Sequence, residues 1–390
     1  MRNLKGKLLT TAALATALGT IALVGTVAPS RKVAANHLAP LTPLHQANVT
    51  VFATGLNNPR GLKFGPDGNL YVAEGGTGGF DSTGGQCVQV VPPIGPYTGS
   101  NTGARISKID EYGNRTTVVD NLPSSQTSPA MGSLISGVAD VAFLDHKLYA
   151  ILAGAGCSHG ISSLPNGVIR VKSNGTFDLI ADLSAFLATH PVENPEPDDF
   201  EPDGTWYSMV AVEDDLYAIE PNHGELDRIS KAGRITRVAD ISASQGHIVP
   251  TALAYDGEDF YVGNLNTFPI VDGSSKILRI NERGQIKVVA EGLTTVLGLA
   301  FDHRHRFYVL ENTTGNPFPT PMTGRVLRFN DLDDNDYDNR HAHQPEVIAS
   351  GLFLPTAMTF GRDGALYVSN IGFGPPPVGL GQIVRIEVPR

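Results

Sequence analysis

The chain has only two cysteines and one tryptophan in 390 residues, and charged residues make up 17% of it. With cysteines at positions 87 and 157 alone, a Cys-x-x-Cys metal or redox site is excluded. Basic residues number 29 against 39 acidic ones, for a net charge of −10. Gripping a phosphate backbone takes a basic stripe, and none is present, so no nucleic-acid partner is expected. Gly-x-Ser-x-Gly and His-Glu-x-x-His motifs are missing, and Gly75-Gly76-Thr77-Gly78-Gly79 lacks the lysine and helix of a phosphate-binding loop. Past residue 28 no apolar run is long enough to span a bilayer, so no membrane span is expected in the mature chain. Glycine and proline are plentiful, at 43 and 27, and no helical periodicity offsets them. These features describe a turn-rich, all-β protein.

The N-terminus carries an address. Arg2, Lys5 and Lys7 precede the apolar run Leu8 to Ala28, and small residues follow at Thr26-Val27-Ala28 and Val33-Ala34-Ala35. This order predicts a signal peptide and processing region over 1–35, then a flexible segment over 36–48, and a secreted or extracytoplasmic location. An uncleaved anchor is the alternative. In an exported chain an even pair of cysteines predicts a disulfide, Cys87 to Cys157, worth roughly 4 kcal/mol through the loop it closes.

The main signal is a repeat. Gly61-Leu62-Lys63-Phe64 turns at Pro66-Asp67-Gly68 and returns as Leu70-Tyr71-Val72-Ala73-Glu74. The tyrosine recurs at Tyr149, Tyr217, Tyr261, Tyr308 and Tyr367, so six of the eleven tyrosines share one slot. Downstream of each comes a basic residue followed by an apolar one, at Lys108, Arg170, Arg228, Arg279, Arg328 and Arg385. The period of roughly 50 to 60 residues fits four-stranded propeller blades. A lone blade cannot bury both faces, so six of them predict a six-bladed β-propeller, with four antiparallel strands per blade, over 49–390. The last unit stops after its third strand, while Val49-Thr50-Val51-Phe52-Ala53 is unmatched at the front. That N-terminal strand is expected to complete the last blade and leave no free edge.

Antiparallel blades place the turns between strands one and two and between strands three and four on one face, and the loops between strands two and three, with the links between blades, on the other. The first set is short; the second is long, through 75–104, 121–136, 154–166, 184–206, 242–249, 265–274, 312–323 and 371–380. Binding is expected on the long-loop face. Three residues after the marker tyrosines stand Glu74, Leu152, Glu220, Asn264, Glu311 and Asn370. Five of these bear carboxylates or amides, and gathered at the axis Glu74, Glu220, Asn264, Glu311 and Asn370 would suit calcium in the central channel. The competing reading is that each side chain caps the backbone of the loop after its strand. His159, His223 and His247 fall in the same loops, as general bases or as ordinary hydrogen-bonded histidines. Trp206 and Tyr207 offer an aromatic wall or core packing. Arg60, His159, Trp206, Tyr207, His223 and Phe268 form the candidate ligand set. The acidic run Glu193 to Asp203 is either an arch over the channel or a linker. Asn330 to Asp338 opens like an EF-hand loop but lacks its sixth-position glycine and closing glutamate, and reads as a solvated loop.

Several phrases together resemble the ScyD/ScyE family of secreted propellers. They are Gly55-Leu56-Asn57-Asn58-Pro59-Arg60-Gly61-Leu62, Leu70-Tyr71-Val72-Ala73-Glu74-Gly75-Gly76, Gly263-Asn264-Leu265-Asn266-Thr267-Phe268-Pro269 and Ser369-Asn370-Ile371-Gly372-Phe373-Gly374-Pro375. The resemblance runs from about Val49 to Val388 and departs at Asp203-Gly204-Thr205-Trp206-Tyr207 and Glu220-Pro221-Asn222-His223-Gly224. It implies an exported propeller and fixes no reaction. Two functions are expected to compete: a binding or scaffold propeller for a small molecule or protein partner, and a calcium-dependent lactonase or hydrolase of gluconolactonase-like type. A quinone-cofactor sugar dehydrogenase shares the blade phrase but finds no cofactor signature here.

Overall fold

The computed structural model describes residues 47–195, 201–315, 317–329, 332, 345–372 and 379–389. The predicted signal peptide, the centre of the acidic run and, apart from Leu332, the EF-hand-like segment lie outside them. Six antiparallel sheets follow one another along the chain, and the all-β, six-bladed propeller is what forms. Blade 1 holds Pro59–Phe64, Leu70–Glu74, Thr98–Ile109 and Arg115–Gln126. Blade 3 holds Ser208–Val212, Asp215–Glu220, Glu225–Ser230 and Ile235–Asp240. Blade 6 is closed by the N-terminal strand Val49–Leu56, which pairs Val49 with Ile386 and Leu56 with Gly381 on the last strand.

The two recurring markers turn out to be cross-strand partners. Tyr71 faces Lys108, Tyr149 faces Arg170, Tyr217 faces Arg228, Tyr261 faces Arg279, Tyr308 faces Arg328 and Tyr367 faces Arg385. In blade 6 an aspartate of the preceding turn joins them: Tyr367 donates to Asp363 at 3.1 Å and Arg385 donates at 3.0 Å. Tyr71 meets Asp67 in the same way at 3.1 Å. In these two blades the triad ties the turn to the third strand.

Between the blades lie six apolar clusters, one at each junction. Ala73, Ile106, Val141 and Leu152 pack between blades 1 and 2, and Ile151, Leu187, Trp206 and Ile229 between blades 2 and 3. Leu226 and Val262 join blades 3 and 4, Ile277 and Val309 join blades 4 and 5, and Leu310 and Val368 join blades 5 and 6. The ring closes with Leu56, Leu62 and Tyr367 between blades 6 and 1. Both faces of every blade are thereby buried.

Three local features depart from the sequence reading. The strand from Thr98 begins inside the stretch expected to be loop, and Ile135–Ser136 adds a fifth strand to blade 1 by pairing with Ser125 and Gln126. A helix, Leu183–Thr189, follows blade 2, with the Asp182 side chain accepting from the Ala185 amide at 2.8 Å as its N-cap. The expected disulfide forms between Cys87 and Cys157, whose Cα atoms lie 6.3 Å apart, and it ties the long loop of blade 1 to blade 2. Among the described residues no helix is long and apolar enough to cross a membrane.

Candidate functional site

The first strand of each blade lines the axis, and on the long-loop face the channel widens into a cavity of about 570 Å³. Ile94, Tyr97, Met131 and Ile135 line it from the blade 1 segments, and Trp206 and Tyr207 line it from the entry to blade 3. Phe268 and Phe318, from the loops of blades 4 and 5, form the lip; their rings meet edge-on at 5.1 Å, and Phe268 is 51% exposed. Polar side chains reach the space as well, among them Arg60, Glu201, Asn222 and His247.

Arg60 stands at the start of the first strand and is nearly buried. It donates to the Ile135 carbonyl, and desolvation lowers its pKa while the Tyr207 phenol beside it opposes that shift. Tyr207 donates to the Thr356 carbonyl at 3.0 Å across the channel, and loss of solvent pushes its pKa up to about 12. One step along the channel wall Asp140 is 4% exposed and accepts from the Met209 and Val141 amides at 2.9 and 2.8 Å. Desolvation lifts its carboxyl to about 6 against those bonds and the Lys63 charge. Gly61 has to be glycine here, because a Cβ would sit 1.8 Å from Asp140 Oδ1. At the opposite end, Phe64, Phe143, Tyr255, Phe301 and Phe360 ring a second cavity of about 440 Å³.

Of the candidate ligand set, Arg60, Trp206, Tyr207 and Phe268 line the upper cavity. His159 and His223 stand behind its wall instead. His159 is fully buried; its Nε2 donates to the Gly204 carbonyl at 3.2 Å, which leaves Nδ1 to accept from the Ser125 hydroxyl at 2.9 Å. Burial holds its pKa down at about 4, so the ring is a neutral strut. His223 Nε2 donates to the Glu201 carbonyl at 3.2 Å. Glu201 itself accepts from the Tyr97 hydroxyl at 2.5 Å, and Asp203 accepts from the Ser158 amide and hydroxyl at 2.6 Å. The described end of the acidic run is therefore pinned to blades 1 and 2.

The five oxygen-bearing side chains at the strand-two exits each find partners close to their own blade. Glu74 accepts from the Asn57 amide at 2.6 Å and from Arg105 at 2.8 Å. Glu220 accepts from the Thr205 and His223 amides at 2.8 and 2.5 Å, and Glu311 from the Thr294 amide at 2.6 Å and from Arg325. Asn264 bridges the Lys276 amide and the Ile248 carbonyl, both at 2.8 Å, and Asn370 accepts from the Phe353 amide at 2.9 Å. Side chains engaged in this way cap the loops that enter and leave their blades. Among the described residues no three His, Cys, Asp or Glu side chains are grouped to hold a metal.

Sequence reasoning missed Ile94, Tyr97, Met131, Ile135 and Phe318, which come from loops with no period. One signal was present for Phe318: the dipeptide Phe-Pro occurs at 268–269 and again at 318–319, in corresponding loops of successive blades.

The fold is shared with solved six-bladed propellers of gluconolactonase-like type. A gluconolactonase from Xanthomonas campestris is 11% identical, with a TM-score of 0.51 over 89% of this chain and 91% of that one. The PQQ-bound aldose sugar dehydrogenase from Streptomyces coelicolor is 15% identical, with a TM-score of 0.52 over 89% and 100%. An auxiliary nutrient binding protein from Bacteroides thetaiotaomicron is 10% identical, with a TM-score of 0.50 over 88% and 77%. No family model matches the chain, and no curated protein does. At these identities the likeness defines a class by fold, the six-bladed propeller, which serves enzymes and binding proteins alike.

Proposed function

We propose that the chain is a secreted binding propeller of ScyD/ScyE type, and that it holds a small, largely apolar molecule with an aromatic or similarly flat body. The observation that carries this reading is the upper cavity: about 570 Å³, walled by aromatic and aliphatic side chains, with a handful of polar groups inside. That composition and size are those of small-molecule sites, where apolar walls supply affinity and a few polar groups fix orientation. The disulfide supports an extracytoplasmic location.

The test is titration of the full chain with an apolar fluorescent probe, 8-anilinonaphthalene-1-sulfonate, beside Phe268→Ala and Tyr207→Ala. Saturable binding that weakens about tenfold in each variant is expected, as for loss of a buried aromatic contact. Equal binding by all three proteins would place the probe elsewhere and end the reading. The calcium-dependent lactonase remains the competing proposal, and it requires Glu74, Glu220 and Glu311 to leave their present bonds for a metal. Lactone hydrolysis that a chelator abolishes would favour it.

A further inference from the structure

In blades 1 and 5 the glutamate ending strand two sits opposite an arginine on strand three: Glu74 faces Arg105 and Glu311 faces Arg325. In blade 3 the same register places Glu220 opposite Glu225, and two residues on, where blade 1 has Ser107, stands Asp227. Glu220, Glu225 and Asp227 are all fully buried. Arg237 on strand four is the cation beside Glu225 and Asp227, and it donates its Nε to Glu225. The carboxyls of Glu225 and Asp227 share a hydrogen bond with each other, and among the described residues no other donor reaches Asp227 or Oε1 of Glu225 and no acceptor reaches the Trp206 indole nitrogen.

Among the described residues the flanking charge is acidic: Asp240 on strand four is the register partner of Glu225. The strand face bearing these acids continues through Ala218, opposite Asp227, to Leu216 and Ile229, which pack with Leu183, Leu187 and Trp206. The helix Leu183–Thr189 carries no ionisable side chain. Past it, the His190 and Pro191 carbonyls accept from Arg237, and the Glu193 amide donates to Asp240. His223 donates its amide to Glu220, while Glu201 and Asp203 are engaged with Tyr97 and Ser158. Glu225 and Asp227 cannot both stay ionised beside one guanidinium in such a place, because unpaired buried charge costs several kcal/mol.

We infer that Glu225 and Asp227 form a proton-dependent clamp, in which protonated carboxyls let blade 3 pack against the helix Leu183–Thr189 and Trp206, and loss of those protons loosens the packing. Desolvation first, and then mutual repulsion for Glu225, hold both carboxyls above their ordinary range. The unfolded chain releases these protons near the normal carboxylate pKa and the folded chain only at higher pH. Across that interval the folded state binds more protons, so the clamp is firmest in acid and weakens as pH rises through the elevated range. Trp206 also lines the upper cavity. If that cavity is the ligand site, its affinity falls with the same titration, but the clamp itself stands apart from that reading.

Trp206 is the single tryptophan and reports the clamp directly. The experiment follows its emission in the full chain from about pH 5 to about pH 10, in the native protein, Asp227→Asn, Glu225→Gln and the exposed control Asp178→Asn. A red shift with rising pH is expected in the native chain and in Asp178→Asn, and it should be absent or much reduced in the two clamp variants. Three outcomes overturn the inference. Emission that is flat in the native chain, or that titrates equally in Asp227→Asn, shows that the pair holds no controlling proton. A transition that added calcium suppresses in the native chain and not in Asp227→Asn assigns the pair to a metal cation instead. A clamp variant that fails to fold leaves the decision to the other, since each removes one of the two protons.

Discussion

At the scale of single residues, environment decides what a side chain does, and His159 is the clearest case. It was a candidate ligand because it lies in a long loop; the structure places it behind the cavity, bonded to Ser125 and Gly204. The reason is local. Cys157–His159 forms one turn fixed by the disulfide, and this swings the ring inward rather than toward the channel. A neutral buried histidine has a pH signature of the opposite sense to the blade 3 clamp. The unfolded chain gains this proton near pH 6.5 and the folded chain near 4, so the unfolded state binds more protons between them. Stability from this residue is intact above about pH 6.5 and falls by about 1.4 kcal/mol per unit as pH drops toward 4. His159→Gln should flatten the acid limb of a pH series of thermal melts while leaving the alkaline limb unchanged. An acid limb identical to that of the native protein would show that the ring is not the titrating group.

Within a blade, the legible and illegible parts of the sequence separate by cause. Tyrosine and the basic residue were visible as two repeats because each blade pairs them across strands two and three, yet their direct pairing could not be read from spacing that varies with loop length. The fifth strand of blade 1 was hidden, since Ile135–Ser136 is two residues long and lies in a loop. The acids at the strand-two exits were visible, but whether they converge on the channel or cap their loops depends on rotamers that no pattern encodes. In blade 5 the outcome is a buried ion pair whose loss can be measured. Desolvation already raises the Glu311 pKa against the nearby Arg325. Arg325→Ala strands that carboxyl and should cost about 3 kcal/mol in urea unfolding, the usual range for breaking a buried pair. Adding Glu311→Gln removes the stranded charge and keeps the acceptor for the Thr294 amide, so the double variant should recover a substantial part of the loss. A double variant no more stable than Arg325→Ala would mean that the arginine acts through packing of its aliphatic stem.

Over the whole molecule, the ring holds because no blade is left with an open face or edge. The sequence made this legible through two incomplete ends that match, and the structure joins them in one sheet from Val49 opposite Ile386 to Leu56 opposite Gly381. Leu56 is fully buried in the cluster that seals blades 6 and 1. Leu56→Ala should therefore cost about 3 kcal/mol, the figure for a core leucine, even though it sits in the first described strand of the chain. Removal of the whole strand is a different matter, since it also bares the hydrogen-bonding edge of Gly381–Ile386 and invites pairing with another chain. The shortened protein should associate in size-exclusion chromatography and lose its single cooperative melt. A circular permutant separates closure from terminus: joining the end of the chain to Val49 and opening it at the short turn Lys231-Ala232-Gly233 keeps every strand pair. It should melt as one unit close to the native temperature, because the turn it breaks lies outside every strand and the sheet it preserves is the one that locks the ring. A permutant that unfolds in two steps would show that blade 3, and not the shared blade 6, is where the circle is held.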